Sequence, residues 1–332
     1  MNRPLVSVCV ITYNSSTYIT ETLNSIKNQT YANIELVISD DFSTDNTVAI
    51  CSDWILNNKA RFANVKLITS DINTGTSLNL NRGLKGSSGE WIKIMAGDDL
   101  LFDYSIMRFI QFIEKNNENV CVSKLEFFGN AQRVEQKKQS YNLFYDKYSI
   151  LSKHGKYTLL LKECLLPMPG LFISKKTLEE INYIDENYPF AEEWPTYLNI
   201  LEKGIDIPYI DEMLVRYRCA EDSLSSIIKN KTDKSISYSP ARNRVYLDSF
   251  RYFNDYRKRR LIKNKMYVQV WNQVLNYKMA KIRLKPNLGK FDKLKMFFLR
   301  SISTETYNKA IQYIVSGQIK YLTNRLIFSN KN

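Results

Sequence analysis

Four short apolar runs recur in the first hundred residues, each followed by a stretch with helical spacing. Leu5 to Ile11, with Val6, Val8 and Val10, reads as a buried parallel strand. Tyr18, Leu23 and Ile26 then fall on a helical period. Ile34 to Ile38 is a second strand, ending at Ser39-Asp40-Asp41, and Ser43 suits the cap of a helix that buries Val48, Cys51, Trp54 and Ile55. Val65 to Ile68 is a third strand, and a loop with Asn73 and Gly75 leads into a short helix through Leu84. Trp91 to Ala96 is the fourth strand. This alternation predicts an α/β fold: a mostly parallel sheet flanked by helices on both faces.

Beyond it, the pattern predicts a helix over Phe102–Lys115, a strand over Val120–Phe127 and an irregular stretch from Gly129 to Glu163, which we expect to help define the acceptor. Pro167-Met168-Pro169-Gly170 breaks the chain, Leu171–Ile173 resumes a strand, Glu192-Glu193-Trp194-Pro195 opens a helix to about Lys203, and Ile205–Arg218 is extended. After Pro240 the pattern is helical, basic and aromatic. No internal repeat or low-complexity linker interrupts it.

Charge divides the chain as sharply as hydropathy does. Residues 240–332 hold 21 Lys and Arg against 4 Asp and Glu, whereas residues 1–239 hold 26 against 30. The basic tail implies a polyanionic partner surface, membrane or nucleic acid. The 332 residues suffice for a large α/β domain plus an appendage. Five scattered cysteines form no CxxC pair; Cys9 and Cys51 fit a reduced core and a reducing cytoplasm. A single histidine, His154, excludes a multi-His zinc site, and any Ser-His-Asp triad would depend on it. No signal peptide is expected, and no apolar run approaches the ~18–20 residues that span a bilayer.

Four constellations carry chemistry. Asp98 and Asp99 close the fourth strand as Gly-Asp-Asp, which is good turn chemistry and also places hard oxygen ligands for Mg²⁺ or Mn²⁺ at the sheet edge where α/β proteins bind ligands. Thr12-Tyr13-Asn14 follows the first strand where a dinucleotide fold would carry GxGxxG; Tyr13 either packs on a helix or offers its ring to a flat base. Asp41 is placed to accept from a base imide or ribose hydroxyl, with Asp40 facing the turn, although both suit turn and capping roles. Glu192 and Glu193 stand at a helix N-terminus, which the helix dipole favours by itself; a carboxylate there also suits a general base.

Taken in order, Val-Ser-Val…Thr-Tyr-Asn, Ser-Asp-Asp-Phe-Ser-Thr-Asp-Asn-Thr, Gly-Asp-Asp, Ala-Glu-Glu-Trp and Tyr-Arg-x-x-x-x-Ser-Leu-Ser resemble family 2 glycosyltransferases of the GT-A fold, the bacterial surface-polysaccharide type, over roughly residues 4–225. The resemblance implies a GT-A catalytic domain over 1–225, its nucleotide-sugar half about 1–127 and its acceptor half about 128–225, followed by a basic helical C-terminal extension over 226–332. It implies that Thr12, Tyr13 and Asp41 hold base and ribose, that Asp98 contacts sugar or ribose, that Asp99 ligates a Mg or Mn divalent cation, that Glu193 is the catalytic base with Trp194 shaping the acceptor site, and that Arg218 lies near the diphosphate. Three departures stand out: Gly97 replaces the usual first Asp of the Asp-x-Asp signature, Glu193 is one methylene longer than the usual Asp, and Ala220 replaces a frequent His.

The implied function is an inverting, metal-dependent hexosyl transfer from a nucleotide-sugar donor to a hydroxyl of a glycan acceptor, lipid-linked, in O-antigen or capsule synthesis. The rivals are a nucleotidyltransferase, disfavoured because Asn14-Ser15-Ser16 carries no basic phosphate loop, a non-catalytic nucleotide-sugar binder, and a nucleic-acid binder suggested only by the tail, which lacks a recognised module. We expect no nucleic-acid partner. Arg257-Lys258-Arg259-Arg260, with Phe291, Leu294, Phe297 and Phe298 ringed by Lys290, Lys293, Lys295 and Arg300, suits a cytoplasmic enzyme docked peripherally on the anionic inner face of the cell membrane; equally, these apolar residues suit packing on the catalytic domain.

Overall fold

The computed structural model describes residues 3–220, 227–229, 236–238, 247–264, 266–283, 292 and 295. The chain divides into two compact units, Met1–Ser223 and Leu224–Asn332. In the first, the order is β1 (Val6–Thr12), α1 (Ile19–Lys27), β2 (Ile34–Asp40), α2 (Thr47–Asn58), β3 (Asn64–Thr69), α3 (Thr76–Gly86), β4 (Trp91–Ala96), β5 (Leu100–Leu101), α4 (Ser105–Asn116), β6 (Val120–Gly129), α5 (Ala131–Ser149), α6 (Lys153–Lys162), β7 (Leu171–Ser174), α7 (Lys175–Glu180), α8 (Glu193–Glu202) and β8 (Tyr209–Cys219).

One eight-stranded sheet runs β3-β2-β1-β4-β7-β6-β8-β5. The first four strands are parallel; β7 is antiparallel to both β4 and β6, β8 runs parallel to β6, and β5 antiparallel to β8. The chain winds from β1 outward to β3, then crosses back to place β4 on the other side of β1. The carboxyl ends of β1 and β4 therefore flank the switch point where open α/β sheets hold ligands. In register, Ile11 pairs with Ala96 and Thr12 with Asp40, so the Thr-Tyr-Asn, Asp-Asp and Gly-Asp-Asp segments all leave one edge.

The reason these runs form central strands is burial on both faces. Val6, Val8 and Val10 join Ile19, Leu23 and Ile26 of α1 in the main core, while Cys9 faces α3. On α3, a Cβ at Gly83 would lie 2.5 Å from the Cys9 sulfur, so glycine there sets how closely helix and sheet approach. All five cysteines are free, and all but Cys164 are buried.

Two local expectations are corrected. Ser43 does not cap α2, whose cap is Asn46; its hydroxyl is instead spent on the Asp40 carboxylate, 2.5 Å away. Residues 129–163 are not irregular but form α5 and α6. In α5, Tyr141, Phe144, Tyr145 and Tyr148 recur at helical spacing, and the last three are buried.

The second unit contains a short antiparallel pair, Ile227–Lys229 with Ile236–Tyr238, and helical segments over 247–252, Phe253–Arg257, Lys258–Lys263 and Tyr267–Arg283. Phe250 stacks on Tyr277 at 3.6 Å between ring centroids. The basic cluster is not wholly presented outward: Arg257 is fully buried and only Arg259 of the four is fully exposed. Phe291, Leu294, Phe297 and Phe298, with Lys290, Lys293 and Arg300, lie outside the described residues. Among the described residues no helix is long and apolar enough to cross a membrane.

Candidate functional site

The Gly-Asp-Asp turn begins where β4 leaves the sheet. Gly97 donates its N–H to the Ile11 carbonyl, and a Cβ there would meet Thr12 Cγ2 at 2.9 Å and Ser15 Oγ at 3.1 Å. Close approach of the two strand ends thus requires glycine, which accounts for the absence of a first Asp in this chain's signature. The next two residues turn into β5, whose pairing with β8 (Leu100 opposite Arg216) draws the end of β8 onto the turn.

Asp98, Asp99 and Arg218 are accordingly brought together. Asp99 is 1% exposed; its Oδ1 accepts the Arg218 N–H at 2.8 Å, and its Oδ2 is buried with no hydrogen-bond partner among the described residues. The Arg218 guanidinium donates to the Asp98 carbonyl and to Glu21 (2.8 and 2.7 Å) and lies over the rings of Tyr18 and Phe128. Burial, reinforced by the neighbouring Asp98 charge, pushes the Asp99 carboxyl well above the usual carboxylate range.

An orphaned, buried carboxylate oxygen costs free energy unless a proton or a cation satisfies it. The donor set fits a hard divalent cation. Among the described residues no group of three or more His, Cys, Asp or Glu side chains forms a closed cage, and ions such as Mg²⁺ are held by one or two carboxylates plus substrate phosphates.

Glu192 and Glu193 stand at the start of α8 with no side-chain cap between them and the helix. Glu193 Oε1 accepts the Met168 N–H at 3.4 Å. Burial raises both carboxyls. For Glu192 the Glu193 charge adds to this, whereas Glu193 is relieved by the Met168 N–H and by Lys137. Trp194 donates its indole N–H to the Leu160 carbonyl, tying α8 to α6.

Lys137 is the residue that sequence reasoning missed. It sits on α5, the helix absent from the sequence reading, with its Nζ 4.0 Å from the centroid of the Tyr217 ring. Its ammonium interacts favourably with Glu193, Asp99 and Asp98, while burial lowers its pKa. The aromatic spacing of α5 was the available signal. A fully buried lysine, Lys93 on β4, donates to the carbonyls of Pro169 and Leu171 and so holds the turn that carries Met168.

At the β1 and β2 ends the picture is different. Thr12 is buried and donates to Asp40, whose carboxylate also takes the Ser43 N–H; Asp40 thus faces the turn as expected. Asp41 is 3% exposed, and its oxygens accept from the Thr74 N–H and hydroxyl and the Gly75 N–H at 2.6–3.0 Å, with Arg82 at 3.6 Å. Asp41 therefore pins the loop after β3. Tyr13, by contrast, is 47% exposed at the same edge.

Asp41→Ala should lower the thermal midpoint, because each stranded N–H costs about 1–3 kcal/mol. It should also weaken nucleotide binding in EDTA. Unchanged affinity for every nucleotide in calorimetry would confine Asp41 to holding the loop.

Comparison with known proteins gives the family and the fold. The family model described as Glycosyl transferase family 2 matches residues 7–177. A glycosyltransferase of Haemophilus influenzae whose specific reaction is uncharacterised is 29% identical over 244 residues, covering 71% of this chain and 72% of its own. The Escherichia coli enzyme WfaP, a UDP-Glc:alpha-D-GlcNAc-diphosphoundecaprenol beta-1,3-glucosyltransferase, is 28% identical over 224 residues, covering 67% of this chain and 80% of its own. In fold, the chain resembles a Pyrobaculum calidifontis mannosyltransferase solved with GDP-Man and Mn²⁺: TM-score 0.57 at 16% identity, covering 98% of this chain and 89% of that one. The architecture is that of GT-A glycosyltransferases, and the chain belongs to glycosyl transferase family 2.

Proposed function

We propose that this glycosyltransferase moves a hexose from a nucleotide-sugar donor to a hydroxyl of a lipid-linked glycan, with inversion, in surface-polysaccharide assembly. The observation that carries the reading is the buried Asp99 Oδ2 beside Arg218, with no hydrogen-bond partner among the described residues, where β4 leaves the sheet. Asp99, with Asp98 and the substrate's phosphates, would hold the divalent cation, which when bound supplies Lewis-acid neutralisation of the leaving diphosphate. Arg218 and Lys137 add positive charge that acts on the same carboxylates, in a partly buried setting where each is worth more than in water. Glu193 accepts the proton of the acceptor hydroxyl as that oxygen attacks the anomeric carbon. A single displacement with no covalent intermediate inverts the centre.

Two features support the partners. WfaP acts on a diphosphoundecaprenol-linked acceptor, and residues 240–332 carry the net positive charge that an anionic membrane surface attracts. Docking on the cytoplasmic face would bring such an acceptor to the site. The full chain should co-sediment with anionic but not neutral liposomes, and high salt should release it; equal, negligible binding to both would reject docking. The donor is tested by nucleoside diphosphate release from a panel of UDP-, GDP- and dTDP-sugars with Mn²⁺ or Mg²⁺. Release from at least one donor, abolished by EDTA, is expected.

A further inference from the structure

We propose that Phe42 is a donor-binding residue whose ring stacks on the flat base of the donor nucleotide beside Tyr13. The inference rests on the nucleotide-sugar reading above and adds to it a residue and a contact.

Phe42 follows β2 with φ +67°, in the left-handed region that bulky side chains avoid. Of the five non-glycine residues with positive φ among those described, three are asparagines, which tolerate it; Phe42 is one of two aromatics. The residue is nonetheless left 46% exposed. A strained conformation at a ligand edge persists only where its surroundings over-determine it. Here they do. On one side of Phe42, the Asp41 N–H is held by the Thr12 carbonyl and the Asp41 carboxylate by the Thr74–Gly75 loop. On the other side, the Ser43 N–H and hydroxyl are both held by Asp40 at 2.8 and 2.5 Å.

The same frame carries Tyr13. Asn14 donates its N–H to Ser43 Oγ and accepts from the Thr44 N–H, both at 2.8 Å, so the loops after β1 and β2 are laced together. Tyr13, Phe42 and Ile72 are the exposed large apolar residues that follow β1, β2 and β3, three adjacent strands, at 47%, 46% and 66% exposure. An apolar, aromatic-bearing rim next to a cation-ready diphosphate site on β4 suits a planar heterocycle. Every base has a π-face, and stacking on an aromatic ring stabilises it whatever its edge presents.

The test is calorimetry on the full chain with Mn²⁺, using UDP, GDP, dTDP and inorganic pyrophosphate as probes, on wild type, Phe42→Asn and Phe42→Tyr. Asparagine accepts the left-handed backbone and removes the ring; tyrosine keeps the ring. For the nucleotide that wild type binds best, Phe42→Asn should lose about 10–100-fold in affinity. Pyrophosphate binding and the thermal midpoint should stay at or above wild type, and Phe42→Tyr should retain wild-type affinity. Full nucleotide affinity in Phe42→Asn overturns the proposal while leaving the donor reading intact. An equal loss for pyrophosphate, or a fall in the midpoint, also overturns it, because the ring would then be supporting the loop. Wild type that binds none of the three nucleotides overturns the donor reading and this inference together.

Discussion

Replacing Asp99 with Asn is expected to reduce donor turnover by at least ~100-fold while leaving the fold intact. A Lewis acid at a leaving diphosphate is worth several kcal/mol, and each 1.36 kcal/mol is about tenfold in rate. The amide copies the shape of the protonated acid, and its oxygen can still accept the Arg218 N–H that now meets Oδ1. It is neutral, so the buried Oδ2 position no longer attracts a cation. Turnover in the presence and absence of EDTA, alongside thermal melts, checks this. Wild-type activity that survives EDTA would remove Asp99 from that role.

The sign of the pH dependence follows from the same side chain. Burial raises the Asp99 carboxyl, so without a cation the fold favours the protonated acid. The stability gained from the neutral form is present at low pH and is lost as pH rises through the raised value. A cation must displace that proton. Its affinity should therefore climb with pH and fall as pH drops, and Asp99→Asn should abolish the slope.

Glu193→Gln is expected to lose ~10²–10⁴-fold in transfer and to keep nucleotide affinity, since the amide preserves shape and removes basicity. The competing residue is its neighbour. Glu192 is raised by burial and then by the Glu193 charge, whereas the Met168 N–H and the Lys137 charge favour the ionised form of Glu193. Glu192→Gln should then be mild. Single-turnover rates for the two variants decide the register, and a severe Glu192→Gln beside a benign Glu193→Gln would shift the base by one residue.

How much of this was legible beforehand depends on range. The central strands could be read because burial on both faces makes each an uninterrupted apolar run, and Trp91–Ala96 matches β4 at both ends. The candidates at strand ends were legible because parallel strands deliver their carboxyl ends to one edge. What could not be read is what lies across space. That Arg218 returns to the Gly-Asp-Asp turn follows from the short β5–β8 pairing, which a two-residue strand hardly announces. That Asp41 holds a loop depends on a Thr74–Gly75 segment whose position no local pattern fixes. Lys137 was missed because α5 is rich in Gln, Lys and Tyr, which masks a helical stripe that only its aromatics reveal. Ser43 looked like a cap because Ser before a helix usually is one, but the adjacent Asp40 carboxylate is the stronger hydrogen-bond partner.

The central claim is that Asp99 and Glu193 serve one reaction, a cation-assisted displacement at an anomeric carbon. The most direct measurement is the anomeric configuration of the product, read by NMR coupling constants after incubating wild type with Mn²⁺, the donor that the panel identifies and a polyprenyl-diphosphate-linked sugar. The expected product is a glycoside of configuration opposite to that of the donor, absent in Glu193→Gln and in EDTA. A product that retains the donor's configuration, or the same inverted product formed at full rate by Glu193→Gln, would contradict it.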